Sequence, residues 1–88
     1  MNSNTYSNNK SKLRWACRRG MLELDVLLGK FLEERFDGLT QKEQENFIEL
    51  LDESDPELFT WIMGHEAPND MKFNHITEII RLHAQSRV

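Results

Sequence analysis

The chain has 88 residues, 39% of them apolar and 30% charged, with a net charge of −4. That length allows one small domain, and the composition excludes an intrinsically disordered chain. No apolar run approaches the roughly 20 residues that span a bilayer, and the Asn/Ser-rich start has no apolar core of a secretory signal.

Residues 1–10 are polar and aperiodic and are expected to be disordered, leaving residues 11–88 as the helical domain. A short helix is expected from Ser11 to Arg18, with Ser11 as its N-cap and Leu13 and Trp15–Cys17 as its apolar content. Arg19-Gly20 breaks it, because glycine costs about 1 kcal/mol inside a helix. Met21–Phe36 reads as a strong helix: Leu24, Leu27, Leu28, Phe31 and Leu32 recur at spacings of three and four. Asp37-Gly38 ends it, with Gly38 suited to a left-handed cap.

Thr40-Gln41-Lys42-Glu43 has the form of a capping box, opening a helix to about Asp52 that buries Phe47, Ile48 and Leu51. Asp55-Pro56 opens a fourth helix, with aspartate as cap and proline at the first position. It carries Leu58, Phe59, Ile62 and Met63, and Gly64 closes it. A last helix starts near Asn69 or Asp70, carries Phe73, Ile76, Ile79 and Ile80, and frays beyond about His83. No segment alternates like a strand. The reading is an all-α, single-domain bundle of about five short helices, with successive helices as antiparallel neighbours.

Charge is unevenly spread. Residues 1–20 carry five Lys/Arg and no acid, while residues 21–88 carry six Lys/Arg against fifteen Asp/Glu. An acidic body opposes nucleic-acid binding, which needs a broad positive face. The basic start suits a local acid-binding spot, or simply folds back on the acidic body.

The densest candidate site is Arg14–Asp25. Arg14, Arg18 and Arg19 surround Gly20, whose bare backbone lets a partner approach closely. Arginine forks fit carboxylates and phosphates. Glu23, four residues after Arg19, is placed to brace that arginine; the plainer alternative is a solvated ion pair in a helix turn. Trp15, beside the arginines, is a candidate contact residue, whereas Trp61 at spacing three from Leu58 reads as core.

Other chemistry is thin. His75 and His83 lie eight apart, too far for a two-ligand clamp, and His65 falls in a loop, so no metal site is expected and the histidines read as surface residues. Cys17 cannot form an internal disulfide and has no base nearby in sequence; it reads as a small buried thiol, although Arg18 and Arg19 offer a way to lower its pKa. With no nucleophile–base pair, an enzyme is not expected. Cysteine usage points to the cytoplasm.

Arg19-Gly20-x-x-Glu23, preceded by Trp15-Ala16-Cys17-Arg18 and followed by Leu24-Asp25, resembles the signature of the succinate dehydrogenase assembly factor family. Leu50-Leu51 through Asp55-Pro56-Glu57-Leu58-Phe59-Thr60-Trp61 and Gly64…Pro68 also match, so the resemblance covers about Lys12 to His83. It implies a five-helix bundle that binds the flavoprotein subunit of succinate dehydrogenase, and in some bacteria of fumarate reductase. It further implies that this binding promotes covalent attachment of FAD to a histidine of that subunit. The motif carries over to Arg19, Gly20 and Glu23, with Arg18, Asp25, Trp15 and Arg14 as flanking partner-binding candidates. FAD belongs to the client: there is no Gly-x-Gly-x-x-Gly turn here, and stable FAD binding is not expected. The expected state is a monomer without membrane insertion. Some family members are labelled antitoxins, which gives the alternative of a protein that sequesters a toxin.

Overall fold

The computed structural model describes residues 10–86, and those residues are all-helical. The expected disorder of residues 1–9 lies outside the described residues, and Lys10 begins the first helix. Five α-helices follow in order: α1 (Lys10–Ala16), α2 (Leu22–Glu34), α3 (Gln41–Leu50), α4 (Asp55–Ile62) and α5 (Lys72–Ser86), with a 3-10 turn at Phe36–Gly38 after α2. Ser11 therefore lies inside α1 and does not cap it.

The helix boundaries follow local chemistry in most places. The Thr40 hydroxyl accepts the Glu43 N–H at 3.1 Å, and the Glu43 carboxylate accepts the Thr40 N–H at 2.9 Å, which completes the capping box of α3. Gly64 adopts φ +81° and closes α4. Its N–H reaches the Trp61 carbonyl, and the His65 N–H reaches that of Thr60, the paired bonds of a Schellman motif. At α5, the Asp70 carboxylate accepts the Lys72 N–H at 3.1 Å, so regular helix begins two residues after this aspartate. The far end runs past His83 to Ser86, whose hydroxyl donates to the His83 carbonyl.

Two expected caps are not used. Gly38 is not in the left-handed region; α2 instead tightens into the 3-10 turn. The turn folds Phe36 inward, where its ring meets Phe47 at 5.7 Å. Burial of that ring, and not glycine's conformational freedom, sets the exit path. Asp55 does not cap α4 either: Ser54 holds the cap position and Asp55 is the first helical residue. Its carboxylate is engaged elsewhere, as described below.

Helix α5 packs against α2, α3 and α4, and α2 also packs against α4. The main packing thus runs through the last helix more than between successive neighbours. The α2 stripe is buried as read: Leu24, Leu28, Phe31 and Leu32 are fully inaccessible, with Leu27 partly buried beside them. Phe31 meets Phe47 at 5.3 Å at the bundle centre. Trp61 is buried and stacks on Phe73 at 6.2 Å. Leu50, outside the expected core set, is fully buried, whereas Met63 is exposed at the end of α4. Among the described residues no helix is long and apolar enough to cross a membrane.

Candidate functional site

The link between α1 and α2 is a corner centred on Gly20. Helix α1 ends at Ala16, and the Cys17 N–H reaches the Leu13 carbonyl at 3.1 Å. Leu13 and Cys17 bury one side of this turn and pin it to the core. Burial pushes the Cys17 thiol up to about 11 from an ordinary 9.0, against the opposing pull of Arg19. Arginine activation of this thiol is therefore overruled by desolvation.

The three arginines of the corner divide their work. Arg19 turns inward and keeps only 12% of its side chain exposed. Nη1 donates to the Glu53 carbonyl at 3.2 Å and lies 3.5 Å from Asp55 Oδ1; Nη2 donates to the carbonyls of Leu51 and, at 3.2 Å, Ala16. Ala16 and Leu51 stand at helix ends, where carbonyls lack partners within their own helix, and Glu53 lies in the link that follows α3. One guanidinium thus ties the end of α1 to the α3–α4 junction.

Arg14 and Arg18 face outward. Arg14 pairs with Glu33 at 3.7 Å, and Arg18 Nε lies 3.7 Å from Asp25 Oδ1, with both arginines well exposed. The Arg18 guanidinium also sits 5.3 Å from the Trp15 ring centroid, a cation–π distance. Trp15 is 71% exposed. Ser11, Arg14, Trp15 and Arg18 line a shallow cleft of about 330 Å³ on this side. Each arginine of the basic start thus meets an acid of the body, so folding back is realised while two arginines stay at the surface.

The expected Arg19–Glu23 brace is not formed. Asp55 takes that place, and Glu23 makes no hydrogen bond or ion pair among the described residues. The reason is geometric: Arg19 points beneath the corner, while Glu23 lies exposed on the outer face of α2. There it joins Leu22, Val26, Leu27, Lys30 and His83 around a largely apolar groove of about 460 Å³. Leu22 and Val26 are exposed apolar residues directly after the corner. Their outward positions on an otherwise amphipathic helix are the one signal of this patch in the sequence.

Gly20 itself is exposed and lies outside the left-handed region. A β-carbon placed there meets nothing nearer than Asp55 Oδ2 at 3.9 Å, an ordinary contact distance. The bundle has room for a side chain at this position. The bare backbone is therefore a property of the outer surface and not a demand of packing.

The histidines are spread apart. His75 Nε2 lies 2.8 Å from Glu43, and exposed His65 packs edge-on against Phe59. His83 is largely buried: it sits edge-on to Phe31 at 5.6 Å and 3.1 Å from Glu34, with only an edge reaching the groove. Its position on α5 turns it toward α2, which no local signal in the sequence marks.

Residues 11–84 match the family model described as "Flavinator of succinate dehydrogenase". The chain is 47% identical over 79 residues to the FAD assembly factor SdhE of Vibrio cholerae, covering 90% of this chain and 92% of that protein. It is 53% identical over 72 residues to the FAD assembly factor SdhE of Colwellia psychrerythraea, covering 82% and 79%. A solved relative, the solution structure of a UPF0350 protein, is 45% identical and superposes with a TM-score of 0.75, covering 93% of this chain and 87% of that one.

Proposed function

The chain belongs to the family of succinate dehydrogenase flavinators, and from that premise we propose that it binds the flavoprotein subunit of succinate dehydrogenase and promotes covalent attachment of FAD to it. The flavoprotein subunit of fumarate reductase is a second client of the same chemistry. The observation that carries this reading is the Gly20 corner: an exposed, bare backbone flanked by Trp15 and Arg18, with room for a side chain it does not have.

The chain acts as a helper and not as an enzyme. Flavin and client would supply the reactive groups, since the bond-forming chemistry belongs to the cofactor and the client histidine. What the helper adds is position. Ordering a client loop around its flavin and histidine raises the rate through geometry alone. Arg14, Arg18, Trp15 and Glu23 face the client, Gly20 lets the client main chain approach, and Arg19 and Asp25 support the corner from within. FAD stays with the client, since the apolar groove beside Glu23 offers a pyrophosphate only Lys30 and His83. The protein works as a cytoplasmic monomer.

Capture from cells tests the reading against the antitoxin alternative. Tagged protein is expected to retain a large flavoprotein, and to lose it on Gly20→Arg. Retention of a membrane or cytoskeletal protein in its place would favour the antitoxin.

A further inference from the structure

The aspartate that the sequence offers as a helix cap serves a different purpose. Asp55 Oδ2 accepts the Met21 N–H at 3.1 Å, and Oδ1 lies 3.5 Å from Arg19 Nη1. Arg19 and Met21 are the two neighbours of Gly20. One carboxylate thus meets the guanidinium of the residue before the bare glycine and the main chain of the residue after it. Its seat in the first turn of α4 favours a negative charge there, through the helix dipole. Asp25 holds the main chain on the preceding side: its Oδ1 accepts the Arg19 N–H at 3.3 Å.

Glycine loses more conformational freedom on ordering than any other residue. A loose Gly20 would pay that entropy when the partner docks, and a corner ordered beforehand does not. We infer that Asp55 is the positioning residue of the binding corner, fixing Gly20 in the geometry the flavoprotein recognises without itself being a contact. This rests on the reading of the corner as the flavoprotein-binding surface.

The test measures binding of the purified flavoprotein subunit of succinate dehydrogenase to the full chain and to four variants: Asp55→Ala, Asp55→Asn, Gly20→Arg and Ile80→Val. Ile80 is fully buried on α5, so Ile80→Val lowers stability without touching the corner. Binding is read at a temperature where circular dichroism shows each variant folded, together with hydrogen exchange at the Met21 amide. Asp55→Ala is expected to weaken binding by about tenfold or more and to release the Met21 amide, while Ile80→Val binds like the parent. If Asp55→Ala does not fold, Asp55→Asn carries the test: it keeps an oxygen acceptor but loses the charge facing Arg19, and is expected to bind several-fold more weakly. Loss of Met21 protection with binding within about twofold of the parent would overturn the inference, as would an equal loss in Ile80→Val. Gly20→Arg separates the two levels. If it binds like the parent, the corner is not the docking surface at all. If it alone fails, the corner stands and the role of Asp55 falls.

Discussion

Arg19 and Asp55 meet 3.5 Å apart although 36 positions separate them in the chain. Their contact joins the α1–α2 corner to the start of α4, and the same guanidinium reaches the Leu51 and Glu53 carbonyls after α3. The arginine of the Arg-Gly-x-x-Glu motif is therefore a brace of the bundle, and the outward cations are its neighbours Arg14 and Arg18.

Arg19→Ala is expected to destabilise the protein by about 2–3 kcal/mol, since it removes several charge-assisted bonds and leaves part-buried acceptors unpaired. Arg18→Ala breaks a surface pair with Asp25 and a contact with the exposed Trp15 ring, and is expected to cost about 1 kcal/mol or less. Urea unfolding of the two variants checks the order. Equal losses would mean that Arg19 does not brace the fold.

Gly20→Arg is expected to fold normally. A β-carbon at this position has 3.9 Å of clearance, and no left-handed backbone must be given up. Its helical circular dichroism should match the parent, with a melting temperature within a few degrees, while flavoprotein capture is lost. An unfolded Gly20→Arg would make the glycine a packing requirement and remove its main argument for function.

The buried thiol gives a pH-dependent signature. Cys17 ionises near 11 in the native protein and near 9.0 once unfolded. Between these values the unfolded state has lost the proton and the native state has not, so stability falls as pH rises through that window. Below it the effect vanishes. The difference between the parent and Cys17→Ala in unfolding free energy should therefore change from pH 8 to pH 10.5, by an amount on the order of 2 kcal/mol. Alkylation of the native thiol should be slow and become fast only on unfolding; rapid native alkylation would contradict the burial.

Glu43 acts at the acid end. The Thr40 N–H, and after it His75, hold its carboxyl below the ordinary 4.5. A depressed native value stabilises the fold above the unfolded value, and that contribution is lost as pH falls through the native one. Glu43→Gln is expected to be less sensitive than the parent to acidification below about pH 4.5 in thermal melts. An unchanged acid profile would mean that the capping-box carboxylate carries no stability.

What could be read from the sequence was what depends on near neighbours. The Thr40–Glu43 box, the α2 stripe and the Gly64 closure each lie within a few residues, and each forms as expected. The corner was visible as a cluster of residue types, but its internal wiring was not. Glu23 was the nearest acid in sequence to Arg19 at helical spacing, whereas the acid that meets it is brought by α4. Asp55 beside Pro56 carries the same letters whether it caps a helix or reaches across the bundle. Gly38 suited a left-handed cap, and burial of Phe36 decided its conformation differently. Local rules describe the segments, and packing against distant carbonyls and carboxylates decides where each side chain points.

The most direct measurement is in-gel flavin fluorescence of the denatured flavoprotein subunit of succinate dehydrogenase. It compares cells lacking this protein, cells with it, and cells with only Gly20→Arg. Covalent flavin is expected in the second alone. Equal fluorescence in all three would contradict the assembly role, and fluorescence restored by Gly20→Arg would place that role away from the corner.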